Sequence, residues 1–277
     1  MVLSQETFLL LRNFVYEKTG MYYKDTKKYL FENRLYRRII KGNFKSYEEY
    51  YYFLRFDPNN REELKALYEV ITTNETYFFR NLHQLESFES KVLPVVIKNK
   101  LLAKQPELKI WSAGCSTGEE PYTISMMTIE NSNLLQNINI EILATDISQG
   151  VLCSANRGVY YRNSIREMPE HYLKKFFQRV KEDEYILSDG VKKRVKFRHL
   201  NLIDKEKMRA VANIDVIFCR NVLIYFDDRS KKEVIASFYD SLRPTGFLFI
   251  GHSESLHTIS RAFKVLHYGP TIVYQKE

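Results

Sequence analysis

Two adjacent carboxylates, Glu119 and Glu120, stand in the stretch WSAGCSTGEEPY (111–122), between an apolar run and a helical pattern. Gly114 and Gly118 in the same stretch allow a sharp turn and a close approach of backbone to ligand. Their G-x-x-x-G spacing differs from the dinucleotide G-x-G-x-x-G, and the Gly-Lys-Ser/Thr of a phosphate loop is missing. A second apolar run ends in ATDIS (144–148), which puts Asp146 where a carboxylate accepts hydrogen bonds from ribose hydroxyls. Acids at a phosphate site would repel the ligand. S-adenosylmethionine has no phosphate and carries a positive sulfonium and an ammonium, so acids beside it are favourable. Taken singly, each feature has a plainer explanation. The glycines make a tight turn, the glutamates complement a helix dipole, and the aspartate caps a helix. Together they favour a nucleoside ligand of cationic character.

Such a loop needs a parallel sheet to hold it, because ligands of doubly wound folds bind beyond the carboxyl ends of the strands. From Lys109 onward the chain alternates apolar runs with helical stretches. The runs are LKIWSAG, IEILATD, VKFRHLNL, IDVIFCRN, GFLFIGHSES and TIVYQK. This pattern predicts an α/β domain with helices on both faces of a mostly parallel sheet. The last two runs suit an antiparallel pair at the sheet edge. Residues 1–70 read differently, as four amphipathic helices: one from a Ser4 cap to a stop at Gly20, one ending at Gly42, one from Ser46 to just before Asp57-Pro58, and NREELKALYEVIT. Short loops between them predict a small helical bundle.

Composition narrows the function classes. No apolar run approaches the roughly 20 residues of a spanning helix, and no signal peptide is expected. The three cysteines are scattered and do not combine with the six histidines at metal-ligand spacing, which predicts free thiols, a cytoplasmic location and no metal. A net charge of +8 points to an acidic partner. Cys219 ends an apolar strand and reads as buried. Ser253 in GHSES lacks the closing glycine of a nucleophile elbow and reads as loop structure.

The motifs TTNETYFFR (72–80), WSAGCSTGEEPY (111–122), ATDIS (144–148), FCRNVLIYF (218–226) and LFIGHSES (248–255) resemble, in order and spacing, those of the CheR family of chemotaxis receptor glutamate methyltransferases. The resemblance covers nearly the whole chain. It implies a Rossmann-like S-adenosylmethionine-dependent methyltransferase domain (81–277), an N-terminal helical domain (1–70), a linker (71–80) that contributes to the cofactor site, and a small β-subdomain inserted late in the sheet. VKEDEYILSDGVKKRV is short for that subdomain, and Asp189-Gly190 reads as its two-residue hairpin turn, which places it at about 180–198.

Carried over residue by residue, the resemblance puts Asn74, Thr76, Arg80, Gly114, Glu120, Asp146, Asn201, Leu202, Arg220 and Asn221 around the cofactor. Asp146 holds the ribose, Asn201 and Leu202 flank the adenine, and Arg220 and Asn221 line the methionine side. Arg80 and Tyr225 are the catalytic candidates. The implied reaction is methyl transfer to glutamate carboxylates on the cytoplasmic helices of chemoreceptors, by a monomer that neither binds nucleic acid nor inserts in the membrane. Two rivals are an RNA methyltransferase, suggested by the charge alone, and a non-catalytic cofactor-binding scaffold. On a helix over 27–41, Arg34, Arg37, Arg38 and Lys41 share one face and read as a docking surface for glutamate-rich helices.

Overall fold

In the computed structural model, which describes residues 1–135 and 138–277, the chain begins with four helices: α1 (Gln5–Thr19), α2 (Lys28–Lys41), α3 (Tyr47–Phe56) and α4 (Arg61–Ile71). Their ends follow the local chemistry. Ser4 accepts from Thr7 N at 3.0 Å, Gly20 takes the left-handed conformation with its N–H on Tyr16 O, and Ser46 caps α3 through Glu49 N at 3.1 Å. α2 buries Phe31, Leu35 and Ile39 along one stripe.

The expected basic docking face of α2 is only partly free. Arg34 lies beside the buried stripe and donates to the Ile71 carbonyl at the end of α4, to Tyr23 Oη and to Thr73 Oγ1. Arg38 pairs with Glu63 of α4, its Nε 2.9 Å from Oε1. The face carrying both arginines packs on α4, so helix packing takes them out of a docking role; Arg37 and Lys41 stay exposed.

After the linker come α5 (Leu82–Ser87), a π-helical turn over Phe88–Val92, and α6 (Leu93–Leu102). The sheet domain then runs β1 (Glu107–Ala113), α7 (Glu119–Glu130), β2 (Asn139–Asp146) and α8 (Gln149–Arg157). Next are β3 (Val159–Tyr161), α9 (Glu170–Phe176), β4 (Phe177–Lys181), β5 (Glu184–Leu187), α10 (Asp189–Lys192) and β6 (Val195–His199). The chain closes with α11 (Lys205–Arg209), β7 (Ile214–Cys219), α12 (Asp228–Ser241), β8 (Leu242–Ile250), β9 (Phe263–Tyr268) and β10 (Thr271–Lys276). Seven strands form the main sheet in the order β6-β2-β1-β7-β8-β10-β9. The first five are parallel; β10 runs antiparallel to β8 and β9. Strand order reverses between β1 and β7, so the crevice for a ligand lies beyond their carboxyl ends.

The small sheet is not where the sequence suggests. It has the order β3-β5-β4 and is inserted ahead of β6, the third strand of the main sheet in chain order. Its hairpin turns between Lys181 and Glu184, and Asp189-Gly190 instead opens α10. Val191 explains the difference: it is wholly buried, and its carbonyl accepts from Ser125 Oγ of α7 at 3.0 Å, which pulls the segment inward as a helical turn. Val195–His199, read both as a strand run of the main sheet and, through Arg198, within the approximate bounds of the subdomain, pairs in parallel with β2 and so belongs to the main sheet. The edge pair is also richer than expected, because the connection before TIVYQK contains β9.

Two cores flank the main sheet. One is continuous from Phe8, Phe31 and Tyr50 of the helical bundle to Trp111, Ile217 and Phe238 on the α12 side. The other packs Phe78, Phe88, Tyr122, Phe218 and Phe249 on the opposite face. No helix among the described residues is long and apolar enough to cross a membrane.

At the amino ends of the strands, Lys100 of α6 and Asp215 of β7 form a buried pair at 2.6 Å, with side chains only 5% and 7% accessible. Asp215 also accepts Lys109 N at 2.9 Å. Removing one partner of a buried pair leaves the other charge uncompensated, at a cost of about 3–5 kcal/mol. Asp215→Asn should lower the free energy of unfolding toward that range, read from denaturant midpoints, while leaving the far end of the sheet intact.

Candidate active site

The loop after β1 is set by hydrogen bonds across the strand ends. Gly114 N and Cys115 N both donate to Thr145 O, at 2.8 and 2.9 Å, which bends the chain away from the sheet. Gly114 has φ +78°, and a Cβ there would lie 2.5 Å from Val222 Cγ2, so both conformation and space demand glycine. Asp146 then locks the turn. Its Oδ2 accepts Ser116 N and its Oδ1 accepts Ser148 N, each at 2.9 Å. Burial pushes the Asp146 carboxyl above its ordinary pKa, and these N–H donors oppose the rise.

The two glutamates at the start of α7 divide their work. Glu119 is 1% accessible and points away from the crevice, where it accepts from Thr117 Oγ1 at 2.7 Å and Ser164 Oγ at 3.0 Å. Desolvation raises its pKa. Glu120 faces the crevice and is held by Ser112 Oγ at 2.7 Å and Arg220 Nη1 at 3.1 Å. Arg220 is itself buried. Its Nε donates to Gln84 Oε1 at 2.7 Å and its Nη2 to the Arg80 carbonyl. Burial lowers its pKa, and Glu120 counters that shift.

These residues surround a cavity of about 220 Å³. Its lining includes Asn74, Thr76, Arg80, Gly114, Glu120, Asp146, Asn201, Leu202, Arg220, Asn221 and Tyr225, so every residue named from the sequence for cofactor binding or chemistry meets at one site. Thr19 at the end of α1 and Met21 just beyond it complete the wall, which the sequence did not indicate. Asn201 ties that wall down by donating to Lys18 O at 2.6 Å, and Tyr22 N donates to Tyr225 O at 2.9 Å. Arg80 donates to Glu75 O at 2.7 Å, its guanidinium 5.6 Å from the centre of the Tyr77 ring. Gln84, Ser112 and Ser116 also escaped the sequence reading; isolated polar residues in a helix, strand or turn carry no distinguishing signal. Cys219 is buried, as expected.

Residues 6–72 match the family model for the CheR methyltransferase all-alpha domain, and residues 74–271 that for the CheR methyltransferase SAM binding domain. The chain belongs to the CheR methyltransferase family. It is 38% identical to chemotaxis protein methyltransferase 2 of Vibrio cholerae over 275 residues, 99% of this chain and 94% of the relative. It is 36% identical to the chemotaxis protein methyltransferase of Borreliella burgdorferi over 277 residues, covering 99% and 95%. Against chemotaxis protein methyltransferase Cher2 of Pseudomonas putida the identity is 33% over 274 residues, 97% of each chain.

As a CheR methyltransferase the protein uses S-adenosylmethionine, and the cavity's donor set suits it. Asn221 Oδ1 is buried and has no hydrogen-bond partner among the described residues, an acceptor matched to an ammonium group. Asp146 and Glu120 add carboxylate oxygens, and Leu200, Leu202 and Ile147 an apolar surface.

The contrast between the glutamates is testable. Glu119 is less easily ionised folded than unfolded, so its charge costs stability above its folded-state pKa, and the cost disappears as pH falls through that value. Glu119→Gln should therefore gain stability relative to the wild type as pH rises from about 4.5 to 7, measured by thermal unfolding at each pH. Glu120→Gln should weaken cofactor binding by about 1.5–3 kcal/mol, the range for a hydrogen bond to a charged group, measured by calorimetry. Equal affinity in the two variants would contradict this division.

Proposed function

We propose that this enzyme methylates side-chain carboxylates of glutamates on chemoreceptor cytoplasmic helices, giving methyl esters. The observation that supports a carboxylate acceptor is that the cavity's buried carboxylates are already engaged, Glu120 with Arg220 and Asp146 with the N–H groups of Ser116 and Ser148, while Glu75 is exposed. No histidine lines the cavity among the described residues, and Cys115, which does, is held as a thiol by burial. An amine or hydroxyl acceptor has a proton to lose during transfer. A glutamate, with an ordinary pKa of about 4.3, arrives already ionised. The names of the relatives support a chemoreceptor as the source of that glutamate.

When bound, S-adenosylmethionine supplies a methyl carbon activated by a sulfonium leaving group. In the proposed arrangement Asp146 accepts from the ribose hydroxyls, Asn201 and Leu202 flank the adenine, and Glu120 and Asn221 face the cationic methionine end. Asn74 and Thr76 close the linker side. Arg80 orients the incoming carboxylate through its planar fork. Tyr225 donates a hydrogen bond that fixes the line of attack. Alignment of this kind contributes roughly 7–11 kcal/mol of barrier lowering, and no proton changes hands. On the substrate side, Arg37 and Lys41 are the proposed contacts for an acidic helix. Arg34 and Arg38 support them from within the bundle.

Incubation with labelled S-adenosylmethionine and a receptor cytoplasmic fragment, followed by base, should release label as methanol, because esters hydrolyse and N-methyl groups do not. Label that survives base, or that enters bulk RNA instead of receptor, would reject the assignment. Arg80→Ala and Tyr225→Phe should each lower kcat by about 10–100-fold, roughly 1.4–2.8 kcal/mol, with smaller changes in cofactor affinity. The double variant Arg37→Glu/Lys41→Glu should raise KM for receptor at low salt and leave cofactor affinity alone. Rising salt should have the same effect on the wild type.

A further inference from the structure

The segment Arg220–Phe226 supplies Arg220, Asn221 and Tyr225 to the cavity, yet it is a loop and a short 3-10 turn; a bridge between Met21 and Phe226 and the bond from Tyr22 N to Tyr225 O tie its far end, and Asn221 to Ile224 lie outside that pairing. Asn221 in addition has φ +61°, in the left-handed region that asparagine adopts more readily than most side-chain-bearing residues. The main-chain N–H groups of Asn221 and Ile224 are free of that pairing and need an acceptor. The GHSES loop after β8 supplies a candidate in Glu254. One carboxylate oxygen, Oε1, accepts Ile224 N at 3.0 Å. The other, Oε2, accepts Asn221 N at 3.2 Å and Gly251 N from its own loop. Burial raises its pKa against the pull of these donors. Gly251 makes room: a Cβ there would sit 2.7 Å from Glu254 Oε2 and 2.9 Å from Asn221 N.

We propose that Glu254 is a positioning residue for methyl transfer: by holding the main-chain N–H groups of Asn221 and Ile224 it aims the Asn221 side chain at the cofactor and sets Tyr225 for the reaction. Glu254 is absent from the cavity lining and acts through the loop. The two N–H groups lie three residues apart, and a single carboxylate spans them because its oxygens point in different directions. An amide in the same place has one acceptor oxygen. Its NH2 would face an N–H donor, so one of the two attachments must break. The inference rests on the assignment of this cavity to S-adenosylmethionine and is independent of the methyl acceptor.

The test measures S-adenosylhomocysteine affinity of the full chain by calorimetry, together with Tm and kcat. Glu254→Gln should bind about tenfold more weakly and show a lower kcat. Gly251→Ala keeps the carboxylate but displaces it, and should show the same pair of losses; it also serves where Glu254→Gln folds poorly. Asp215→Asn is the control for stability, since it breaks the buried Lys100–Asp215 ion pair at the opposite end of β7. At an equal or larger drop in Tm, Asp215→Asn should keep its affinity within about twofold of the wild type. If Glu254→Gln and Gly251→Ala bind within twofold of the wild type, or if Asp215→Asn loses as much affinity as they do, Glu254 has no positioning role. Absence of binding by the wild type would overturn the cavity assignment and the inference with it.

Discussion

One buried guanidinium joins the segments that meet at the carboxyl ends of the strands. Arg220 follows β7 and reaches three segments that are far apart in sequence: Gln84 of α5, the carbonyl of Arg80 in the linker, and Glu120 at the head of α7. A buried arginine is costly unless its donors are satisfied. Here Nε, Nη1 and Nη2 each have an acceptor. The requirement converts charge into geometry, because the loop after β1, the linker and the loop after β7 can all meet the guanidinium in one arrangement. Glu120 answers the question posed by paired acids in a ligand loop. It is first of all the counterion of Arg220, and only its remaining lone pairs are available to a cofactor cation.

The helical bundle is part of this site as well as a neighbour of it. Its core is continuous with the α12 side of the sheet. The end of α1 and the residues just after it reach both Asn201 and Tyr225: Lys18 O accepts from the Asn201 side-chain amide, and Tyr22 N donates to Tyr225 O. Asp227 reinforces the connection: Oδ1 caps α12 through Ser230 N at 2.8 Å, and Oδ2 accepts from Tyr16 Oη at 3.0 Å. Arg34 fixes the other end of the linker against α4. A domain that sequence alone presents as a separate docking module is thus one wall of the cavity, and displacing it would move Tyr225.

What the sequence made legible follows from which signals are local. Helix caps at Ser4, Gly20 and Ser46 are local chemistry and stand where the pattern put them. Asp146 and the glycine turn were legible because a parallel strand presents its last residue in a fixed place. Asp189-Gly190 was misleading because a two-residue hairpin motif is decided by its flanks, and the buried Val191 outweighs local turn preference. Arg34 and Arg38 read as surface charge because helical spacing shows which residues share a face and not what that face packs against. Glu254 stands in the GHSES motif, where only Ser253 invites a chemical reading. Its partners are main-chain N–H groups, which have no sequence signature.

The division between charge and position also bears on the chemistry. Of the ionisable groups in and around the cavity, Cys115, Glu119 and Asp146 are all shifted toward their neutral forms by burial. Asp146 accepts from main-chain N–H groups, Glu119 from two hydroxyls, and Glu120 is paired with Arg220. The carboxylates at the site are thus engaged in holding its loops in place, and no histidine lines the cavity among the described residues. For a carboxylate acceptor this costs nothing, since the acceptor is ionised before it enters. The barrier then consists of desolvating two opposite charges and aligning oxygen, carbon and sulfur, and a rigid polar cavity lowers both. On this account the network around Arg220 and the carboxylate of Glu254 contribute to rate without contacting the reacting atoms, by removing freedom from the loop that carries Asn221 and Tyr225.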